Sequence, residues 1–250
     1  MGSNQLLQAV SGNRQERYNR THPKNTRDAP VDEGDAVWNK RAVKNRQFRK
    51  PGMNFEKRLD QSITKWNLLE SRFYQAWSEG CLPKESLAQY ANEYGAFISR
   101  IPEGWANHGD ESVAEEEREH LKLWRNFAQE LGVDIGDPKT QEVVELVKTA
   151  DALFSEPVTA LGALYAFEAQ QPGTAETKLA GLRQHYDVTE KACEYFVVHA
   201  QDYSEPALLR DRIGVLADAE QLQAVTACEE MCRALRKALD GMTPAGISVQ

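Results

Sequence analysis

Glu117 precedes His120 by three residues, and Asp202 follows His199 by three. Residues three apart on a helix are neighbours, so each pair can offer an imidazole nitrogen and a carboxylate oxygen to one point. A third acid, Glu168, lies in 164–172, where the apolar pattern of a helix asks for a core residue. Charged side chains are rarely buried without a partner, so Glu168 either faces water or serves a cation inside the fold. Glu-x-x-His is the half-site of carboxylate-bridged di-iron and di-manganese centres in helix bundles. Oxygen and imidazole donors in this mix suit iron or manganese rather than a thiolate metal. Plainer readings stand beside these. Glu115, Glu116, Glu117 and Glu119 form an acidic run of the kind that covers a solvated face, and a histidine after Tyr195, Phe196, Val197 and Val198 is often a hydrogen-bonded core residue. A ferritin-like centre would need a second Glu-x-x-His; His199-x-x-Asp202 takes that place, which argues for a different bundle.

Other chemistries find less support. The four cysteines, Cys81, Cys193, Cys228 and Cys232, form no Cys-x-x-Cys; buried free thiols in a cytoplasmic protein fit them better than disulfides or zinc. There is no Gly-rich phosphate loop. A net charge of −8 speaks against nucleic acid as partner. No apolar run approaches the ~20 residues of a membrane span, and no signal-peptide core is present.

The elements that must carry the donors read as helices. Residues 1–52 are rich in Asn, Arg, Gln and Gly, and the first fifty hold eleven Lys/Arg against five Asp/Glu. That composition predicts a basic, mostly disordered arm. From 53 to 245 the chain reads as one helical domain. Over 55–79, Leu59, Ile63, Trp66, Leu69, Phe73 and Trp77 repeat at three and four, one core stripe. The same period predicts a helix over 83–102, a loop over 104–110, and a helix on to about 131. Further helices are predicted near 139–154, 157–171, 173–185, 188–202 and 206–240. No stretch alternates with a period of two. The expected fold is an all-α bundle of roughly seven or eight helices.

Several ordered motifs carry a resemblance: Phe73-Tyr74-x-x-Trp77, Leu87-x-x-Tyr90-Ala91-x-x-Tyr94, His120-x-x-Leu123-Trp124-x-x-Phe127-Ala128, Tyr165-x-x-Glu168-x-Gln170-x-Pro172, Lys178-x-x-Gly181-Leu182 and Tyr195-Phe196-x-x-His199. Over roughly 55–205 the set resembles the haem-oxygenase-like di-iron oxidases, in particular those akin to the chlamydial protein associating with death domains. TenA-type and PqqC-type proteins share the fold more distantly. The resemblance implies metal ligands at Glu117, His120, Glu168, His199 and Asp202, iron as the metal (two ions, with manganese as an alternative), O2 and a reductant as co-reactants, and a homodimer. This chain departs from the death-domain relatives in two motifs. Position 113 is a valine, so Glu117 supplies the carboxylate before His120. The last motif, His199-x-x-Asp202-x-x-Glu205, is one residue shorter and carries Glu205 in place of a final histidine, with Pro206 next, where the helix is expected to end.

In relatives that make para-aminobenzoate, a folate precursor, the substrate is the protein itself. A tyrosine of the first helix supplies the ring and a lysine ten residues past the central glutamate is implicated in amino transfer. Tyr74 and Lys178 match these positions, Tyr195 matches a tyrosine near the site, and Phe167 replaces another. Their plain readings are a packed core tyrosine and a surface lysine. Two other functions remain open on the sequence: a di-iron oxidase of an external fatty or amino acid, and a metal-free TenA/PqqC-like binding or regulatory protein.

Overall fold

The computed structural model describes residues 54–247, so the arm expected over 1–52 lies outside the described residues. Among the described residues there are eleven α-helices and one 3-10 turn, and no strand. The helices are α1 (Phe55–Lys65), α2 (Arg72–Ser78), α3 (Lys84–Ile98), α4 (Ile101–His108), α5 (Glu111–Glu130), α6 (Gln141–Phe154), α7 (Pro157–Glu168), α8 (Gln171–His185), α9 (Glu190–His199), α10 (Ser204–Gly214) and α11 (Asp218–Met242). None is long and apolar enough to cross a membrane.

The bundle is built around α7. Every residue from Ala160 to Glu168 is buried, the pattern of a helix surrounded by others. Its principal neighbour is α11, which also lies against α6 and α1. Gly162 permits the approach. A Cβ there would stand 1.8 Å from the backbone oxygen of Ala224 in α11. On the other side of the bundle α5 packs against α4 and α9, and α8 against α9 and α2.

The all-α class holds, and the extra helices come from breaks that periodicity alone does not show. The stretch 55–79 is interrupted after Lys65. The Asn67 side chain accepts from the Leu69 amide and Ser71 from the Tyr74 amide, offering the backbone partners other than the helix ladder. Arg236 fixes the break by donating to the carbonyls of Asn67 and Glu70. The stretch 206–240 breaks at 215–217, where the Glu220 carboxylate accepts from the Ala217 amide. The loop expected over 104–110 is mostly α4. Gly104 is a packing glycine held against the Phe154 ring, and Gly109, with φ of 97°, ends the helix. The expected helices over 157–171 and 173–185 meet earlier, because Pro172 sits in the first turn of α8, where its missing amide is harmless. Pro206 likewise falls in the first turn of α10 and ends nothing. Cys193, Cys228 and Cys232 are buried and free as expected, whereas Cys81 is free but exposed.

One buried acid serves the fold. Glu93 of α3 accepts the amides of Lys139 (2.9 Å) and Thr140 (2.7 Å) and the side chain of Gln89 (3.0 Å). It satisfies backbone donors ahead of α6 that would otherwise lack partners. Glu93→Ala is expected to cost about 1.5–3 kcal/mol, the range for hydrogen bonds to a charged group, read as a lowered urea midpoint.

Candidate metal centre

The donors arrive from four parts of the bundle. α5 carries Glu117 and His120, α9 ends on His199, α7 ends on Glu168, and Asp202 and Glu205 flank the start of α10. All six are buried, Glu168 and His199 to within 2% and 1% of full burial. Glu117, His120 and His199 converge, each offering a ligand atom within 4.8 Å of the others. The expected one-turn neighbours meet: His120 Nδ1 and Glu117 Oε1 are 2.7 Å apart. The rings of His120 and His199 lie edge to face, centroids 4.7 Å apart.

His199 is oriented by its own helix. Its Nδ1 lies 2.7 Å from the Tyr195 carbonyl, one turn back. A carbonyl can only accept, so Nδ1 carries the proton and Nε2 the lone pair, the arrangement of a ligating imidazole. The ring also stacks on that of Tyr195, centroids 4.1 Å apart.

Asp202 departs from the expected geometry. α9 stops at His199, so Asp202 is not on the same helix. Its Oδ1 accepts the Ser204 amide (3.1 Å) and hydroxyl (2.6 Å) and starts α10. Aspartate favours such local turns over helix interiors. Its Oδ2 is shielded from solvent. The donors of the Glu117, His120 and His199 cluster fit iron: they are a carboxylate and two imidazoles with no thiolate, all buried, and His199 is oriented by a backbone hydrogen bond.

A second cluster lies among the aromatic side chains. Lys178, for which a surface position is the default, is 2% exposed. Its Nζ stands 3.5 Å from the Tyr74 hydroxyl and 3.3 Å from that of Tyr90, and the two hydroxyls are 2.9 Å apart. It also lies over the rings of Tyr74 (5.0 Å), Phe196 (5.2 Å) and Tyr90 (5.7 Å). Burial lowers its pKa from the ordinary 10.5 to about 7. The amine therefore loses its proton, and gains an available lone pair, as pH rises through neutrality. The phenols move the other way: burial first, then Tyr90, raises Tyr74, and burial followed by the Glu117 and Glu168 carboxylates raises Tyr195. All stay protonated.

Packing joins the two clusters. Tyr195, whose hydroxyl accepts from Gln171 at 2.9 Å, meets Trp124 edge-on at 4.8 Å, and Trp124 lies 5.5 Å from Tyr90. Tyr90, Trp124 and Gln171 were not expected at the site; Tyr90 and Trp124 follow core stripes that give no sign of what their polar atoms meet. Two surface cavities of about 540 and 290 Å3, lined from α3, α6, α11 and the loop 135–138, include none of these side chains.

Residues 93–237 match a family described as iron-containing redox enzymes. The chain is 32% identical over 189 residues to the 4-aminobenzoate synthase of Chlamydia pneumoniae, covering 67% of this chain and 84% of that one. It is 31% identical over 228 residues to the 4-aminobenzoate synthase of Nitrosomonas europaea, covering 75% and 90%. Among solved structures it is similar to a TenA homologue from Pseudomonas syringae (TM-score 0.61, 15% identity, covering 76% of this chain and 92% of that one). It is also similar to a domain with a haem-oxygenase-like fold from Shewanella denitrificans (TM-score 0.65, 19% identity, covering 76% and 92%). These two likenesses establish the fold as haem-oxygenase-like.

Proposed function

The chain belongs to the family of iron-containing redox enzymes, and from that premise we propose that it forms 4-aminobenzoate from its own side chains. Tyr74 gives the ring and Lys178 the nitrogen, in a reaction that needs iron, O2 and a reductant. The observation that carries the reading is the buried lysine amine against a buried phenol, 3.5 Å apart. Tyrosine and 4-aminobenzoate share a para-substituted ring bearing one attached carbon. Conversion requires breaking the Cα–Cβ bond of Tyr74 and oxidising Cβ to a carboxylate with O2 as oxidant. It also requires joining the ring carbon to Lys178 Nζ, with the phenolic oxygen leaving as water and the Nζ–Cε bond breaking so that the lysine is left as an aldehyde.

Glu117, His120, Glu168, His199, Asp202 and Glu205 are the proposed ligands, enough for two ions. Iron bound there would supply O2 activation and oxidising power. The protein's own groups do the rest. Above about pH 7, burial leaves Lys178 neutral and so nucleophilic. The rings of Phe73 and Tyr90 pack against that of Tyr74 and Phe196 lies against the lysine amine, which keeps water from the pair. Trp77 fixes α8 at the lysine by donating its indole N–H to the Lys178 carbonyl at 3.1 Å.

Supporting the reading would be a labelling experiment. Protein grown with 15N-lysine, loaded with iron and given O2 and reductant, should release 15N-4-aminobenzoate with a matching mass loss in the Tyr74 peptide. Unlabelled product, or none, would sink it. Iron content should fall by at least half in His120→Ala and His199→Ala, by metal analysis of folded protein.

The pH dependence follows from Lys178. Below about 7 the amine is protonated, so the single-turnover rate should drop about tenfold per pH unit, and above about 7 it should level off. Stability moves in the same direction. Between about 7 and 10.5 the folded chain holds fewer protons at this lysine than the unfolded chain, so stability rises with pH across that window. Below 7 both states are protonated and the gain is lost.

A further inference from the structure

Lys178 and Tyr74 reach each other from different helices, and their direct contact, at 3.5 Å, is at the long limit of a hydrogen bond. Both make shorter contacts with a third group. The Tyr90 hydroxyl lies 2.9 Å from that of Tyr74 and 3.3 Å from Lys178 Nζ. Tyr90 is also firmly seated. Its ring stacks on Tyr94 (4.8 Å, 19°), meets Trp77 edge-on (5.3 Å) and lies against Phe73 (5.4 Å). A phenol can donate one hydrogen and accept others, so one fixed hydroxyl can bind the Tyr74 oxygen and the lysine amine together.

We propose that Tyr90 is a positioning residue: its hydroxyl closes a hydrogen-bonded triangle that holds the Lys178 nitrogen over the Tyr74 ring, near the carbon that bears the phenolic oxygen. This rests on the reading that Tyr74 and Lys178 are the reacting pair. The groups facing Nζ are the two phenols, from α2 and α3, and the Phe196 ring of α9.

The test has two arms. In the first, the full chain without metal is labelled with 15N-lysine and the Lys178 amine is titrated by NMR. Tyr90→Phe keeps the ring and its stacking but removes an acceptor for the ammonium, so the midpoint should fall about one further pH unit. Tyr165→Phe, whose hydroxyl meets Arg210 instead, should leave the midpoint in place. In the second arm, iron-loaded Tyr90→Phe should form aminobenzoate at least tenfold more slowly in a single turnover, with Tyr74 still the residue consumed. An unmoved midpoint overturns the proposal, and so does a wild-type rate. If the wild-type protein yields no aminobenzoate, the functional reading falls on its own, while the midpoint still reports whether Tyr90 holds the amine.

Discussion

Iron-loaded Tyr74→Phe is expected to form no 4-aminobenzoate, a loss of at least about 10^3-fold, as when a reacting group itself is removed. Phenylalanine keeps the ring and its contacts with Phe73 and Tyr90 but lacks the para oxygen that the amine must replace. The fold should survive. The lost hydroxyl removes one hydrogen bond to Tyr90, worth about 1 kcal/mol, a small part of the roughly 5–15 kcal/mol that hold a domain together. Product assay and intact mass, with circular dichroism and iron content as controls, separate loss of chemistry from loss of structure. Product at the wild-type level from Tyr74→Phe would remove Tyr74 as the source of the ring.

The second large effect is on the fold. Gly162→Ala places a methyl group 1.8 Å from the Ala224 carbonyl oxygen and 2.6 Å from its carbon. Both atoms are backbone within α11, so no side chain can rotate aside and α7 must move. Overpacking of a core usually costs about 1–3 kcal/mol. Here the displaced element is the central helix and carries Glu168 at its end. The expected cost exceeds about 4 kcal/mol, in the exceptional tail for single substitutions, with iron binding lost as well. Gly173→Ala in α8 is the matched control. Its nearest neighbour would be Leu69 Cδ1 at 3.8 Å, so the change should be neutral or stabilising by up to about 1 kcal/mol. Urea midpoints of the two variants decide it; equal midpoints would show that α7 and α11 separate freely.

Glu168 was legible because a single carboxylate interrupts a wholly apolar helix, and such a helix can only be central. Glu117 and His120 were legible because helical spacing alone brings them together, as their 2.7 Å contact shows. The pairing of His199 with Asp202 on one helix was not realised, since an aspartate after a helix finds a local partner in Ser204 more readily than it prolongs the helix. Lys178 was legible by position but not by environment. Its neighbours in sequence are mixed, and its burial comes from rings on α2, α3 and α9 that no local pattern reveals. Gly104 misled for a related reason: a glycine that marks a loop in sequence can equally be the one residue small enough to fit beneath Phe154.

Tyr74 is almost wholly enclosed, 2% exposed, and that enclosure has a consequence for the chain that has reacted. A reaction that carries off the ring leaves a void in the middle of the aromatic core. Truncating a buried aromatic side chain typically costs about 3–5 kcal/mol because the walls relax only partly. The spent protein would therefore open more often than the fresh one, and proteases that act on opened chains would clear it first. On the proposed function, the burial that protects the chemistry would also limit the lifetime of the chain that has performed it.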